Sequence, residues 1–393
     1  MTEFQVRTDA LDKTRLIDTP VPDISGGDGS IVVRVDRFAF TSNNITYGVA
    51  GDRLGYWQFF PPHASVDRPE PTGVDNTWGL LPIWGYADVT ETNCSDIAIG
   101  DRLFGYFPPS RYLVMQPVGV KGTTLIDGSP HRASLPAGYN RYRRVSTDRH
   151  TDVTAADDVT AADDVPSPGG LSSSRRAQEE DMQALLFPLY VTSFSLWDTL
   201  VDNNWYNAEQ IIVLSASSKT SIGLAYALAQ DQSAPPVTGI TSARHLNALN
   251  NLQLYTRCID YDDVSSVADV PSVIVDMSGN REVLGRLHTR LADNMNHTLN
   301  VGITHWDTPR KASGIISERC EMFFAPSQIQ KRFKDWGPEQ FEKRSSAFLQ
   351  TAYANTTSWL TMQHVDGLQG LSAVYADVCN GNVPFDNGLI VTL

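Results

Sequence analysis

The fold is decided by residues 210–225, which read QIIVLSASSKTSIGLA. The apolar run at 211–214 predicts a buried β-strand, and the small polar residues at 215–220 predict a tight loop that opens directly into a helix. This order is typical of the first unit of a dinucleotide-binding α/β domain. In that unit, backbone N–H groups and the positive end of the helix dipole receive a pyrophosphate.

Serines stand in this loop where such sites usually have glycines, and Gly223 is the glycine that remains. Hydroxyls from Ser217, Ser218 and Thr220 and the positive charge of Lys219 would still suit a phosphate. The alternative is a strand-loop-helix crossover without a ligand, because even a complete glycine-rich fingerprint is a modest signal. A Walker phosphate loop is excluded, since the glycines that flank its Lys-Thr pair are missing.

Helices and strands alternate around this unit. Further strands are predicted at 237–241, 257–261, 272–276 and 300–304, and helices at 181–200, 220–230, 243–249 and 280–291. Regular alternation of this kind predicts a parallel, doubly wound sheet. Beyond it, we predict helical structure over 327–362, a helix at 370–380 and a closing strand at 388–393.

The first 145 residues are predicted to be rich in β-strands. Residues 30–40, 100–107 and 111–117 combine β-branched and aromatic side chains, with glycines and prolines between them, as in a small barrel. A tandem VTAADD repeat at 153–164 is followed by Pro, Gly and Ser residues. That composition has little apolar surface to bury, so we predict a low-complexity surface insertion over 151–180.

Composition restricts the class of protein. At 393 residues, two domains are expected. The net charge of −14 argues against nucleic acid or an anionic membrane as a partner and leaves a small molecule. Four scattered cysteines without metal-ligand spacing predict reduced thiols, and we expect a cytoplasmic protein. We expect neither a signal peptide nor an apolar run long enough to span a bilayer.

The order of these elements and several motifs resemble the medium-chain dehydrogenase/reductase superfamily over nearly the whole chain. The similar segments are 35–48, 88–105 with its GDRLFG sequence, 190–194, 275–279 with its DMSG sequence, and 375–393. Residues 319–337 are similar to a poorly characterised branch described only as a domain of unknown function.

The resemblance implies an α/β protein with two domains. A GroES-like β-barrel catalytic domain would occupy residues 1–150 and be completed by 320–393, and a doubly wound Rossmann domain would occupy 181–319. The superfamily's zinc enzymes use a Cys in the active-site loop and a later His-Glu pair. Here the corresponding segments read TSNNITYG at 41–48 and WGYAD at 84–88, so we expect no catalytic metal. The resemblance then implies a zinc-free reductase, such as a quinone or enoyl-thioester reductase.

The second strand of the nucleotide domain indicates which cofactor is used. NAD selection normally needs an acid there, whereas this chain reads Ser242-Ala243-Arg244-His245. Arginine binds a 2′-phosphate through two charge-assisted hydrogen bonds, so NADP(H) is predicted. The alternative is that Arg244 only solvates a helix start. The predicted cofactor-binding residues are Ser215, Ser217, Ser218, Lys219, Thr220, Ser242, Arg244, Ser278, Gly302 and Thr304.

The resemblance also implies a catalytic group in the active-site loop. Tyr47 could donate a proton or hold a carbonyl oxygen, and Asn44 or Thr46 could orient the substrate. The alternative for Tyr47 is an ordinary half-buried loop residue. An apolar substrate wall is predicted from Phe323, Phe324 and Trp336, although such aromatics are often simply core. His305 falls where the superfamily contacts nicotinamide.

These observations predict a zinc-independent, NADP(H)-dependent oxidoreductase that acts on an enone, a quinone or a related carbonyl compound. The alternative is a cofactor-free lyase or a binding protein on the same fold that has lost hydride transfer. By analogy with the superfamily, whose members commonly pair through the nucleotide domain, a homodimer is expected.

Overall fold

The computed structural model describes residues 2–25, 29–63, 77–145, 173–302 and 313–393. The strands in these ranges are β1 (Thr2–Arg7), β2 (Thr14–Asp18), β3 (Ile31–Phe40), β4 (Trp78–Gly79), β5 (Ile83–Thr92), β6 (Arg102–Phe107), β7 (Tyr112–Met115), β8 (Pro117–Lys121), β9 (Thr124–Asp127), β10 (Arg141–Val145), β11 (Gln210–Leu214), β12 (Val237–Thr241), β13 (Arg257–Asp260), β14 (Ser272–Asp276), β15 (Met295–Asn300), β16 (Cys320–Met322), β17 (Thr361–Asp366) and β18 (Asn387–Thr392). The helices are α1 (Ser42–Val49), α2 (Gly51–Leu54), α3 (Ser173–Asp202), α4 (Lys219–Ala229), α5 (Leu246–Asn251), α6 (Arg281–Leu291), α7 (Ala325–Trp336), α8 (Pro338–Thr356) and α9 (Gly367–Cys379).

A six-stranded parallel sheet contains the stretch from which the fold was predicted. Its strands lie in the order β13-β12-β11-β14-β15-β16, and every neighbouring pair is parallel. Numbered within this sheet the order is 3-2-1-4-5-6, as in doubly wound dinucleotide-binding folds. The side chains of 211–214 in the central strand are completely buried. The parallel sheet predicted from the sequence is therefore confirmed.

The fifth strand of this sheet lies earlier than predicted. We predicted it at 300–304, whereas β15 ends at Asn300. Its buried residues Met295, Thr298 and Leu299 alternate irregularly with the half-buried Asn296 and His297, so the strand lacks a continuous apolar run. The sixth strand, β16, was not predicted; three residues are too short to show a periodic pattern.

The large sheet combines both ends of the chain. Its order is β17-β18-β3-β5-β6-β10-β9-β8, with β7 also paired to β3, and a small sheet has the order β2-β1-β4. The closing strand was predicted. The strand β17 was not, because helical structure was predicted through 362 and α8 ends at Thr356. The domain limits given above stay a prediction.

The long helix α3 joins the two large sheets. It begins at Ser173, so 173–180 of the predicted insertion are helical; 151–172 lie outside the described residues. The helix over residues 174–202 is long and apolar enough to cross a membrane by length and composition, contrary to our expectation from the sequence, with a mean hydropathy of 1.4 over an 18-residue window. Most of the apolar window is buried, and α3 packs against β5, α4 and α8. The helix is therefore part of the core.

Candidate functional site

A cavity of about 2060 Å³ lies between the carboxyl ends of the parallel strands and the large sheet. One side is lined by residues 215–220, 241–245 and 300–302, and the other by α1, Trp84 and part of α3. Pockets for small molecules usually measure about 300–1,000 Å³. The cavity therefore has room for a dinucleotide together with a second small molecule.

The serine-rich loop turns the central strand β11 into α4. Ser215 has a φ of 58°, a left-handed conformation that glycine adopts most easily. Ser218 caps α4, since its hydroxyl accepts a hydrogen bond from the N–H of Ser221 at 3.2 Å. The first N–H groups of a helix have no partner within the helix, so α4 presents donors at the cavity edge. The loop and helix start predicted from the sequence are confirmed.

Ser217 is bonded inside the protein. Its buried hydroxyl lies 2.9 Å from the hydroxyl of Thr241 and 2.9 Å from Nδ1 of His245. Burial, together with the positive charge of Arg244, lowers the pKa of His245. These bonds fix the loop to the end of β12. Ser217 thus shapes the cavity wall with a hydroxyl that already has two partners.

The predicted phosphate cations face the C-terminal segment 381–387. The ammonium group of Lys219 donates to the carbonyl oxygens of Phe385 and Asn387, at 2.9 and 2.7 Å. Burial lowers the pKa of Lys219 to about 8. The exposed Arg244 donates to the carbonyl oxygen of Gly381 at 3.1 Å. Both side chains line the cavity, and their hydrogen bonds hold the segment 381–387 beside the loop.

The ends of β14 and β15 form the floor of the cavity. Asp276 accepts hydrogen bonds from the N–H and the hydroxyl of Ser278, at 2.7 and 2.6 Å. Ser278 is completely buried and holds this turn, and it is not among the described residues that line the cavity. Gly302 does line it, and an added Cβ there would lie 2.4 Å from the carbonyl oxygen of Met277. Thr304 and His305 lie outside the described residues.

The segment predicted as an active-site loop is mostly helical. Thr41 and Asn44 form a capping box at the start of α1. The amide of Asn44 accepts from the N–H of Thr41 and donates to the carbonyl oxygen of Pro82, each at 2.8 Å. Asn44 is therefore buried behind the cavity, with its amide used for structure. Thr46 lines the cavity, and its hydroxyl bonds the carbonyl oxygen of Ser42 at 3.3 Å.

Tyr47 lies at the cavity wall within a cluster of aromatic rings. Its ring centroid is 4.6 Å from that of Tyr56 and 5.7 Å from that of Tyr106. Burial, and then the proximity of Tyr56, raises the pKa of Tyr47 well above its usual value, so the hydroxyl stays protonated at neutral pH.

Two further tyrosines at this wall were missed by the sequence reasoning. The hydroxyls of Tyr56 and Tyr139 lie 3.0 Å apart, and both residues line the cavity. They are separated by 83 positions and belong to no recognisable motif. No local signal in the sequence could have paired them.

Two of the three predicted wall aromatics reach the cavity. Phe323 and Phe324 line it. The ring of Trp336 instead lies between the guanidinium groups of Arg332 and Arg344, at 4.6 and 4.2 Å. Trp336 is the last residue of α7, where arginines of α7 and α8 cover it. Among the described residues, Trp336 does not line the cavity, so the structure does not place it in the predicted substrate wall.

The described ranges contain no cluster of three or more His, Cys, Asp or Glu residues that could hold a metal ion. The segments that correspond to the zinc ligands of the superfamily's zinc enzymes are 41–48 and 84–88, and neither contains Cys or His.

One protein family and several solved structures are similar to this chain. The family model described as "Protein of unknown function (DUF2855)" matches residues 38–384. The crystal structure of CurA from Vibrio vulnificus is similar, with a TM-score of 0.58, 12% identity, and coverage of 98% of this chain and 95% of that one. Its complex with NADPH gives a TM-score of 0.58 at 10% identity, covering 100% and 99%.

A third similar structure is the complex of Etr1p with NADP and crotonyl-CoA. It has a TM-score of 0.52 and 11% identity, and the match covers 100% of this chain and 99% of that one. No protein among those with curated descriptions matches the sequence. The structural similarities show that the chain has the medium-chain dehydrogenase/reductase fold.

Proposed function

The chain belongs to the family described as "Protein of unknown function (DUF2855)", and we propose that it is a zinc-independent, NADP(H)-dependent oxidoreductase that reduces an enone, a quinone or a related carbonyl compound. One observation carries the proposal: a single cavity joins the helix start after the central parallel strand to the buried Tyr47. That a similar fold binds NADPH in CurA supports the choice of cofactor.

The residues at the strand ends suit NADP(H). The first N–H groups of α4 and the hydroxyl of Thr220 would receive the pyrophosphate. Ser218 would join them by giving up the hydrogen bond that its hydroxyl donates to Oγ of Ser221 at 2.8 Å. Gly302 keeps the floor free of a side chain where the carbonyl oxygen of Met277 leaves no room for a Cβ. Ser242 and Arg244 would hold the 2′-phosphate. Lys219 would add its charge only by giving up a bond to the segment 381–387.

The cofactor, when bound, supplies a hydride for a polarised double bond. Tyr47 would donate a hydrogen bond to the carbonyl oxygen of the substrate, because its hydroxyl stays protonated in this buried setting. A donor aimed at an oxygen that gains negative charge stabilises the transition state. Phe323 and Phe324 would cover the apolar part of the substrate and exclude water. The residues at 41–48 and 84–88 support chemistry without zinc, since they offer neither Cys nor His.

A fluorescence titration with NADPH and NADH tests the cofactor. We expect micromolar binding of NADPH and weaker binding of NADH. Arg244→Ala should weaken NADPH binding by about tenfold, because a hydrogen bond to a charged group contributes about 1.5–3 kcal/mol. The matched control is Arg290→Ala, which removes an arginine that pairs with Asp269 and does not line the cavity. If neither nucleotide binds, the proposal is overturned.

The second candidate is a cofactor-free lyase or binding protein on the same fold. A specific observation favours it: the side chains of Ser217 and Lys219, both predicted for phosphate, are bonded to other parts of the protein. Binding of a carbonyl compound without any response to NADPH or NADH would support this candidate.

A further inference from the structure

Trp84 shares the aromatic cluster with Tyr47. Both residues line the cavity, and both pack on Tyr106, with centroid distances of 5.3 Å from Trp84 and 5.7 Å from Tyr47. Trp84 also contacts Tyr139 at 6.1 Å and Phe187 at 5.2 Å. Rings on several sides therefore hold the indole of Trp84 in the same aromatic cluster as the predicted proton donor.

The indole N–H of Trp84 is buried and has no hydrogen-bond partner among the residues that the structure describes. A buried donor without a partner costs about 1–3 kcal/mol, and native proteins leave few of them. Trp84 and Asn43 both interact with the Tyr47 hydroxyl in a way that lowers its pKa. Burial and the proximity of Tyr56 raise that pKa by more.

We propose that Trp84 is a positioning residue for Tyr47, donating its indole N–H to the hydroxyl oxygen so that the hydroxyl hydrogen points into the cavity. A tyrosine hydroxyl can accept one hydrogen bond while it donates another. With the oxygen held from behind by an N–H, the O–H bond is directed at the substrate. Trp84 acts through Tyr47 and need not touch the substrate.

This role rests on the proposed reduction, in which Tyr47 transfers a proton to the substrate. The O–H bond of Tyr47 breaks, the proton goes to the substrate that has accepted a hydride from NADPH, and Tyr47 is left as a phenolate. Solvent water then returns the proton. The phenolate is the form that most needs a donor in a buried site, because desolvation disfavours the charge.

The other tyrosines around Tyr47 supply no N–H. Tyr56, Tyr106 and Tyr139 each disfavour a second negative charge nearby, and their own pKa values are raised by burial. The cation behind them is Arg132, which is already paired with Asp127 at 2.7 Å. Trp84 and the amide of Asn43 are the neighbours that favour the phenolate.

Replacing Trp84 by Phe keeps an aromatic ring and removes the N–H. The matched control is Trp359→Phe, because the indole N–H of Trp359 is also buried without a partner in the described part of the chain, but its ring stacks on Phe385, away from Tyr47. With NADPH and 2-cyclohexenone, Trp84→Phe should lower kcat about tenfold with little change in KM. Trp359→Phe should leave both nearly unchanged.

A tryptophan analogue gives a second readout. Site-specific replacement of Trp84 by benzothienylalanine, which has the shape of tryptophan but no N–H, should reproduce the effect of Trp84→Phe.

A spectroscopic test separates this inference from the proposed function. In ¹H–¹⁵N spectra of the full chain without cofactor, Trp84→Phe identifies the Trp84 indole signal. Tyr47→Phe should move that signal upfield through loss of the acceptor and leave the Trp359 signal in place. An unmoved Trp84 signal overturns the inference even if NADPH binds. A moved signal shows the hydrogen bond from Trp84 to Tyr47 even if NADPH does not bind, so failure of the proposed reduction and failure of this inference are told apart.

Discussion

The ammonium group of Lys219 lies 2.7 Å from the carbonyl oxygen of Asn387, to which it donates a hydrogen bond. Lys219 begins the helix after the central strand of the parallel sheet, and Asn387 begins the last strand of the large sheet. One half-buried side chain thus connects the proposed phosphate loop to the large sheet. The sequence suggested a cation for a phosphate, and the structure shows a cation that bridges two parts of the protein.

Lys219→Met should change how stability depends on pH. Burial lowers the pKa of Lys219 to about 8 in the folded chain, against 10.5 as the ordinary value. Between these values the unfolded chain binds more protons, so wild-type stability should rise with pH relative to the variant, by at most about 1.4 kcal/mol per pH unit. Urea unfolding of both proteins between about pH 8 and about pH 9.5 measures this. Parallel pH curves would contradict it.

Tyr47→Phe should lower kcat by about a hundredfold with little change in KM, because it removes a proton donor that acts mainly in the transition state. Steady-state kinetics with NADPH and an enone measure the loss. Tyr226→Phe is the control: Tyr226 is a half-buried tyrosine of α4 that packs near Phe348 and does not line the cavity. Equal turnover in wild type and Tyr47→Phe would dismiss the catalytic role.

Gly223→Ala should destabilise the fold by about 1–3 kcal/mol through overpacking. An added Cβ would lie 2.7 Å from the ring of Tyr190 and 2.7 Å from the hydroxyl of Ser193, so α4 would have to move away from α3. Thermal unfolding measures the change. Gly138→Ala is the control, since nothing lies within 4 Å of a Cβ there. If the two variants melt together, the glycine is not needed for this helix contact.

Arg102→Met should destabilise the protein by about 3 kcal/mol, because it leaves the buried Glu180 without its nearest cation, with Arg37 remaining 3.6 Å away. The guanidinium of Arg102 donates two hydrogen bonds to Glu180 of α3, both at 2.8 Å, and bonds Asp36 and Asp88 of the large sheet. Chemical denaturation at neutral pH measures the loss.

Arg175→Ala serves as the control for Arg102→Met. Arg175 pairs with Glu179 one helical turn further along α3, with 3.4 Å between Nε and Oε1, and both side chains are exposed. Exposed pairs contribute about 0–1 kcal/mol, so this variant should unfold close to wild type. A similar, small loss for both variants would show that the Arg102 network does not hold α3 to the sheet.

The sequence by itself determined the parallel sheet, its central strand and the start of α4. These features follow from runs of apolar residues and from small polar residues between them, which act on the backbone within a few positions. The same reasoning misplaced β15 and missed β16 and β17, because short strands with polar residues carry no clear period.

The tertiary structure alone decided which side chains share the cavity. It brings Tyr56 to Tyr139 across 83 positions and Lys219 to Asn387 across 168, and it turns Asn44 and Trp336 away from the places predicted for them. The physical reason is that a local pattern records burial and backbone hydrogen bonding. The partner of a polar side chain depends instead on which distant segments pack together.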